Sequence, residues 1–232
     1  MPQSNKKKLI TLFKTYGCSF TEYQWPTWTY WLATKASIER HGIPGAGNED
    51  IARNIVTNAD NDSIQVVMWS GFDRISRDKK KFNNLGEGKY QGDQYSLYRL
   101  MARTYEQIYM ANTFCSQNKI KIFNFLAFPL ELGEDTKLQN ITHPMRKLMP
   151  EMPISFSEWC LENQPIITNK KDQHPTVSQH FYYYNNIMCK KIGSAIADED
   201  LEDLRKQDLK YATLKTKSQW ANYKGPINYE FK

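Results

Sequence analysis

The chain has 232 residues, 40% hydrophobic and 24% charged, the balance of one folded domain with its own core. Its formal net charge of +6 comes from scattered groups such as Lys6-Lys7-Lys8, Lys79-Lys80-Lys81, Lys170-Lys171 and Lys190-Lys191, diluted by 25 acidic residues. A nucleic-acid binder concentrates its basic residues on one face or arm, so nucleic acid is not expected as a partner. No stretch is apolar over the length that crosses a bilayer, and the apolar run of residues 9–13 is too short for a signal sequence. No membrane partner is expected, and a soluble, cytoplasmic protein is.

The elements can be read in chain order. Residues 8–13 carry Leu9, Ile10, Leu12 and Phe13 and read as a first strand, after which Gly17 lets the chain bend. The apolar, aromatic stretch of residues 23–36 reads as a helix, and residues 37–43 as a short extended piece ending in Pro44-Gly45-Ala46-Gly47. Asn48 or Glu49 then starts a helix whose Ile51, Ile55 and Val56 fall near one face. Residues 63–69 (Ser-Ile-Gln-Val-Val-Met-Trp) are the clearest buried strand, stopped by Ser70-Gly71. A long helix is expected over residues 95–116, with Leu97, Leu100, Met101, Ile108 and Ala111 as its apolar stripe, and a strand over 119–128. The alternation of strand and helix predicts a three-layer α/β/α domain around a mainly parallel sheet.

Two regions break the pattern. Residues 77–93 are polar with Gly86, Gly88 and Gly92, and read as a surface insertion. Residues 131–171 are Pro-rich and irregular, with a short helix expected near 155–162. A last domain helix is expected after Pro175, beginning Thr176-Val177-Ser178. The α/β domain is assigned to residues 1–192. Residues 193–232 are assigned to a charged helix (198–210) and a Tyr- and Lys-bearing tail that packs on the domain or on a partner.

Cys18, Cys115, Cys160 and Cys189 are far apart, with no C-x-x-C pair and no paired histidines. They define no zinc motif and no disulfide framework, and suit a reducing compartment.

In such a fold ligands bind at the carboxyl edge of the sheet. Three loops converge there: Gly17-Cys18-Ser19, Pro44-Gly45-Ala46-Gly47-Asn48 and Ser70-Gly71-Phe72-Asp73-Arg74. Ser19 lies between strand and helix, where a helix N-terminus can hold an oxyanion. Asp172-Gln173-His174 precedes the last helix. A serine, a Gly-rich loop with free N–H groups and an Asp/His pair are the parts of a serine acyl hydrolase. Each has a plain structural counterpart. Ser19 can be a turn residue, Asp172 a helix cap, and Arg74 an ion-pair partner of Asp73 or Asp78 instead of a substrate contact. His180 reads as surface or packing, Cys18 as a small buried residue, and His41 and His143 have no acidic or nucleophilic context.

With these blocks in this order, residues 8–190 resemble the SGNH (GDSL-type) hydrolases, in the variety of bacteriophage and bacterial proteins with G-C-S-F-T in the first block. The resemblance implies a flavodoxin-like α/β/α fold and a serine esterase or deacetylase. It places the nucleophile on Ser19, an oxyanion N–H on Gly45, and the Asp and His of the last block on Asp172 and His174. No metal or organic cofactor is implied. Two positions depart from the family pattern. Phe72 stands where the third block has an Asn that donates to the oxyanion, which makes Asn48 the first substitute, ahead of Ser70 and Arg74. One residue instead of two separates Asp172 from His174. The substrate implied is an acyl ester of a carbohydrate or small metabolite. The alternative is a structural or binding protein on the same frame, such as a virion component with a protein partner on its C-terminal tail.

Overall fold

The computed structural model describes residues 11–23, 25–72, 94–130, 146–163 and 174–212. One sheet of four parallel strands forms the centre: β1 (Leu12–Gly17), β2 (Ser37–Gly42), β3 (Ser63–Trp69) and β4 (Lys121–Leu126), in the spatial order β2-β1-β3-β4. The helices are α1 (Trp28–Ala33), α2 (Asn48–Asn58), α3 (Gln94–Gln117), α4 (Phe156–Asn163), α5 (Val177–Tyr183), α6 (Cys189–Ile192) and α7 (Leu201–Ala212). A single π-helical turn, Tyr184–Met188, joins α5 to α6 in one continuous rod.

The sequence explains the order of the strands. Val66, Val67, Met68 and Trp69 of β3 are completely buried, as an inner parallel strand covered on both faces must be. In β2, Glu39, Arg40 and His41 are only half-buried or exposed, a composition that protects an edge. The path from β1 to β2 runs one way across the sheet, and the paths from β2 to β3 and β3 to β4 run the other. Right-handed crossovers therefore put α1 on one face and α2 and α3 on the other. The contacts agree: α2 packs on α3, while α1 packs on α5.

Register brings the functional loops to one level. Gly17 of β1 pairs with Gly42 of β2 and with Met68 of β3, and Met68 pairs with Phe125 of β4. The chain leaving β1 immediately folds back over these strand ends. A Cβ on Gly17 would lie 2.0 Å from Thr21 Oγ1 and 2.7 Å from the Met68 carbonyl oxygen, and one on Gly42 would lie 2.6 Å from Glu22 Cβ. Both glycines are there to let the next segment cross.

At the amino edge a buried lysine ties three elements together. Lys14 Nζ donates to Asp60 Oδ2 at 2.6 Å and to the Asn58 carbonyl at 2.8 Å, with Glu39 at 3.6 Å. The hydrogen bond to Asp60 raises the Lys14 pKa, and the same bond, with one from Ser63, holds the Asp60 carboxyl below its usual range.

Three expectations change. The first strand is Leu12–Gly17 rather than residues 8–13, with residues 1–10 outside the described part. The first helix is Trp28–Ala33 rather than 23–36, because Pro26 biases Trp25 away from helix and Thr27 has extended backbone at the N-cap. The cap of α5 is Thr176, not Asp172. Its side chain accepts from Gln179 N, and the Gln179 side chain accepts from Thr176 N. The expected insertion at 77–93 and the tail beyond 212 lie outside the described residues, while the short helix expected near 155–162 is α4.

The crowding at Gly17 is testable. Gly17→Ala is expected to lower stability by about 3 kcal/mol or to prevent folding, since the added Cβ meets the Met68 carbonyl as well as the Thr21 side chain. Gly193→Ala, with φ +72° and nothing within 4 Å of the added Cβ, should cost only about 1 kcal/mol. Urea unfolding of the two variants gives the comparison.

Candidate active site

The segment after β1 forms one tight turn. The Cys18 carbonyl accepts from Thr21 N at 2.9 Å and Glu22 N at 3.1 Å, which places Ser19 at the second position of the turn. The turn is pinned from the other side. The Thr21 carbonyl accepts the hydroxyls of Thr27 (2.6 Å) and Thr29 (3.2 Å), just before and within α1. Because α1 begins only at Trp28, Ser19 is carried by this turn and not by a helix N-terminus.

His174 reaches the turn from 155 residues away. Its Nε2 lies 2.8 Å from Ser19 Oγ, a hydrogen bond between a buried serine and a half-buried histidine. Tyr23 stacks on the imidazole, with ring centroids 4.1 Å apart and planes 19° apart. Trp25 Nε1 donates to the Pro175 carbonyl at 2.9 Å. Helix α5 follows at once, and Asp208 Oδ1 of α7 accepts from Ser178 N at 3.1 Å in its first turn.

The second loop lies beside the first. Ile43 N donates to the Gly17 carbonyl at 2.9 Å, which extends the β1–β2 ladder one step past the strand. Ala46 N then donates to the Ile43 carbonyl at 2.9 Å, closing the turn Ile43-Pro44-Gly45-Ala46. Gly45 has φ +77°, the left-handed backbone that a type II turn needs after Pro, and only glycine takes it without strain. Among the described residues the N–H groups of Ser19 and Gly45 donate to no protein acceptor, so two backbone donors are left at this edge.

The third loop is occupied differently from expectation. Asn48 is buried, its Nδ2 donates to the Ser70 carbonyl (3.1 Å) and to Thr104 Oγ1 (3.2 Å), and its Oδ1 accepts from Ser70 N (2.8 Å). Both amide hydrogens are therefore in use. Asn48 links α2, α3 and the loop after β3, and is not the free oxyanion donor expected from the sequence. Phe72 is half-buried against the core and offers no side-chain donor. Asp172 and Arg74 lie outside the described residues.

His180 sits on the first helix after His174 and is completely enclosed, edge-on to Phe156 at 4.7 Å. Burial, and then the field of His174, push its pKa well below that of a free histidine, and its Nδ1 has no hydrogen-bond partner among the described residues. Of the two roles read from the sequence, packing is correct. Burial also pushes the Cys115 thiol up to about 11 and the Cys160 thiol up to about 12. Among the described residues no cluster of His, Cys, Asp and Glu could hold a metal ion, and no helix is long and apolar enough to cross a membrane. A cleft of about 290 Å³ between α3 and residues 148–150, lined in part by Tyr109 and Asn112, shares no residue with the Ser19 turn.

The Tyr23 and Trp25 contacts were not read from the sequence, which was taken there as helix. The available signal was Tyr-x-Trp followed by Pro26, an alternation that puts two aromatic rings on one side of an extended chain.

No family model matches the sequence, and no curated protein is similar to it. Among solved structures the chain is similar to a catalytic mutant of Axe2, an acetylxylan esterase from Geobacillus stearothermophilus. The identity is 11%, the match covers 82% of this chain and 97% of the other, and the TM-score is 0.50. A second Axe2 mutant, an acetyl-xylooligosaccharide esterase, aligns over the same shares at 11% identity with a TM-score of 0.47. The first likeness establishes the fold, a parallel sheet between two helical layers, and the fold alone.

Two variants test this account of the neighbouring buried groups. Asn48→Ala leaves the Ser70 N–H and carbonyl unpaired in the interior, and a loss of about 2–3 kcal/mol is expected in urea unfolding. His180 binds a proton more readily unfolded than folded. Stability is therefore full above about pH 6.5, the ordinary histidine value, and falls as the pH drops below it. In His180→Phe the slope of stability between pH 7 and pH 5 should be shallower, by up to about 1.4 kcal/mol per pH unit.

Proposed function

We propose that the protein is a serine ester hydrolase of the SGNH type that removes an acyl group from a carbohydrate or small metabolite. The observation that carries this reading is the 2.8 Å contact between Ser19 Oγ and His174 Nε2 at the carboxyl edge of the sheet. Two side chains 155 residues apart meet there with the geometry of a nucleophile and its base.

In the proposed reaction His174 Nε2 takes the proton from Ser19 Oγ as the oxygen attacks the ester carbonyl. The tetrahedral oxyanion is held by the backbone N–H groups of Ser19 and Gly45. His174 returns the proton to the leaving alcohol, and water, activated by the same imidazole, releases the acid and frees Ser19. Asp172 is assigned to the other ring nitrogen of His174, where it fixes the tautomer, and Arg74 to a carboxylate or phosphate on the substrate. The likeness to an acetylxylan esterase supports the fold for this chemistry. The ester chemistry is proposed on the Ser19–His174 pair.

One observation favours a second reading. With the Asn48 amide engaged and Phe72 at the third-block position, neither of these two side chains supplies the donor of the family's asparagine. A missing oxyanion donor costs about 100- to 1,000-fold in rate. A binding or structural protein with a residual site, such as a virion component acting through its C-terminal tail, would have the same frame.

Labelling by a fluorophosphonate probe separates the two. The wild-type chain should react at one site, and Ser19→Ala should not react. His174→Ala should lower kcat on an aryl acetate by about 1,000-fold or more. A folded wild-type chain that stays unlabelled would favour the binding protein.

A further inference from the structure

We propose that Tyr23 and Trp25 are positioning residues that clamp the segment carrying the base onto the turn carrying the nucleophile. The inference rests on the reading of Ser19 and His174 as the reacting pair. It concerns what holds the His174 ring in the plane that aims Nε2 at Ser19.

An imidazole ring turns easily about its second side-chain torsion, for which the energy wells are broad. A 2.8 Å hydrogen bond from Nε2 to Ser19 Oγ requires one narrow range of that torsion. The Tyr23 ring lies nearly parallel to the imidazole at 4.1 Å, so rotating His174 out of plane would drive its edge into Tyr23. Phe20, tilted by 49° at 6.0 Å, is a second and looser aromatic neighbour. The stack thus restricts the one rotation that would break the Ser19 contact.

Trp25 fixes the backbone beneath. Its indole N–H donates to the Pro175 carbonyl, and it is almost fully buried. Tyr23 and Trp25 brace each other edge to face, with centroids 4.5 Å apart and planes 78° apart. Both residues emerge directly from the Cys18–Glu22 turn. The base is therefore referenced to the segment that carries the nucleophile, and movement of that segment carries both together. The arrangement predicts an effect on kcat, where alignment of the reacting atoms counts, and little on substrate binding.

The test compares Tyr23→Leu, Tyr23→Phe and Trp25→Phe with the wild type on an aryl acetate, alongside the NMR signal of the His174 ring C–H. Tyr23→Leu should lower kcat by about 10- to 100-fold with KM within about threefold, because small misplacements of reacting groups cost that much. Tyr23→Phe keeps the ring and should restore kcat to within about threefold of wild type, whereas Trp25→Phe, which loses the donor to Pro175, should fall with Tyr23→Leu. The His174 signal, displaced by the Tyr23 ring current, should keep its position in Tyr23→Phe and move in Tyr23→Leu. The clamp is overturned if kcat is unchanged in Tyr23→Leu, if only KM rises, or if Tyr23→Phe is as impaired as Tyr23→Leu. Should the wild type prove inactive toward both ester and probe, the hydrolase reading fails separately. The NMR arm then decides the clamp alone, and an unmoved His174 signal in Tyr23→Leu overturns it.

Discussion

The whole carboxyl edge depends on a pair of glycines in register. Gly17 and Gly42 face each other across β1 and β2, and the space that side chains would fill there is taken by Thr21 and Glu22. Without that crossing, the chain would leave β1 along the strand axis and carry Ser19 away from the sheet. With it, the Cys18–Glu22 turn lies across the strand ends, and the Gly45 turn hangs from the next rung of the ladder. One steric allowance at two positions thus assembles pieces from two separate stretches of chain.

The His174 side is built by different means. His174 belongs to no regular element but is followed at once by a capped helix. The Thr176–Gln179 box and the Asp208 contact from α7 fix the start of α5, while Trp25 holds Pro175. Leu204 of α7 is buried and Asn185 brackets Ala197 through two hydrogen bonds, so the segment after the rod folds back toward α5. The charged helix foreseen near the end of the chain, α7, therefore supports α5 from outside the sheet. What it does for the site, it does through α5.

Much of the frame was legible because burial writes itself in periodicity. The run at residues 63–69 could only be an inner strand, and α2, α3 and β4 lie within a few residues of expectation because their apolar spacing and flanking Pro, Gly and Asn agree. The first helix was overextended because apolar aromatic residues at 23–25 resemble a helix start. In fact Tyr23 and Trp25 lie outside regular structure, and Pro26 is the signal against helix. Ser19 and His174, which meet at 2.8 Å, stand out in the sequence because each lies at a break between elements. Asn48 was misjudged for a simple reason: sequence shows that an amide is near the site, but not that Ser70 and Thr104 already use its hydrogens. Tertiary hydrogen bonds between loops leave no periodic trace.

The two edges of the sheet divide stability and chemistry. At the amino edge the Lys14–Asp60 pair has a raised lysine and a lowered carboxyl. A lowered carboxyl contributes stability that is present above its unfolded pKa, near 3.8, and lost as the pH falls through the folded value. A raised lysine contributes stability present below its unfolded pKa, near 10.5, and lost as the pH rises through the folded one. Between these limits the pair stays charged, and its contribution does not vary with pH. At the carboxyl edge the opposite holds, since His180 is kept neutral beside the histidine that faces Ser19. It follows that mild acid acts first on the wall of the site while the amino edge stays locked. Loss of order on acidification should therefore begin around α5, whose buried His180 must take up a proton.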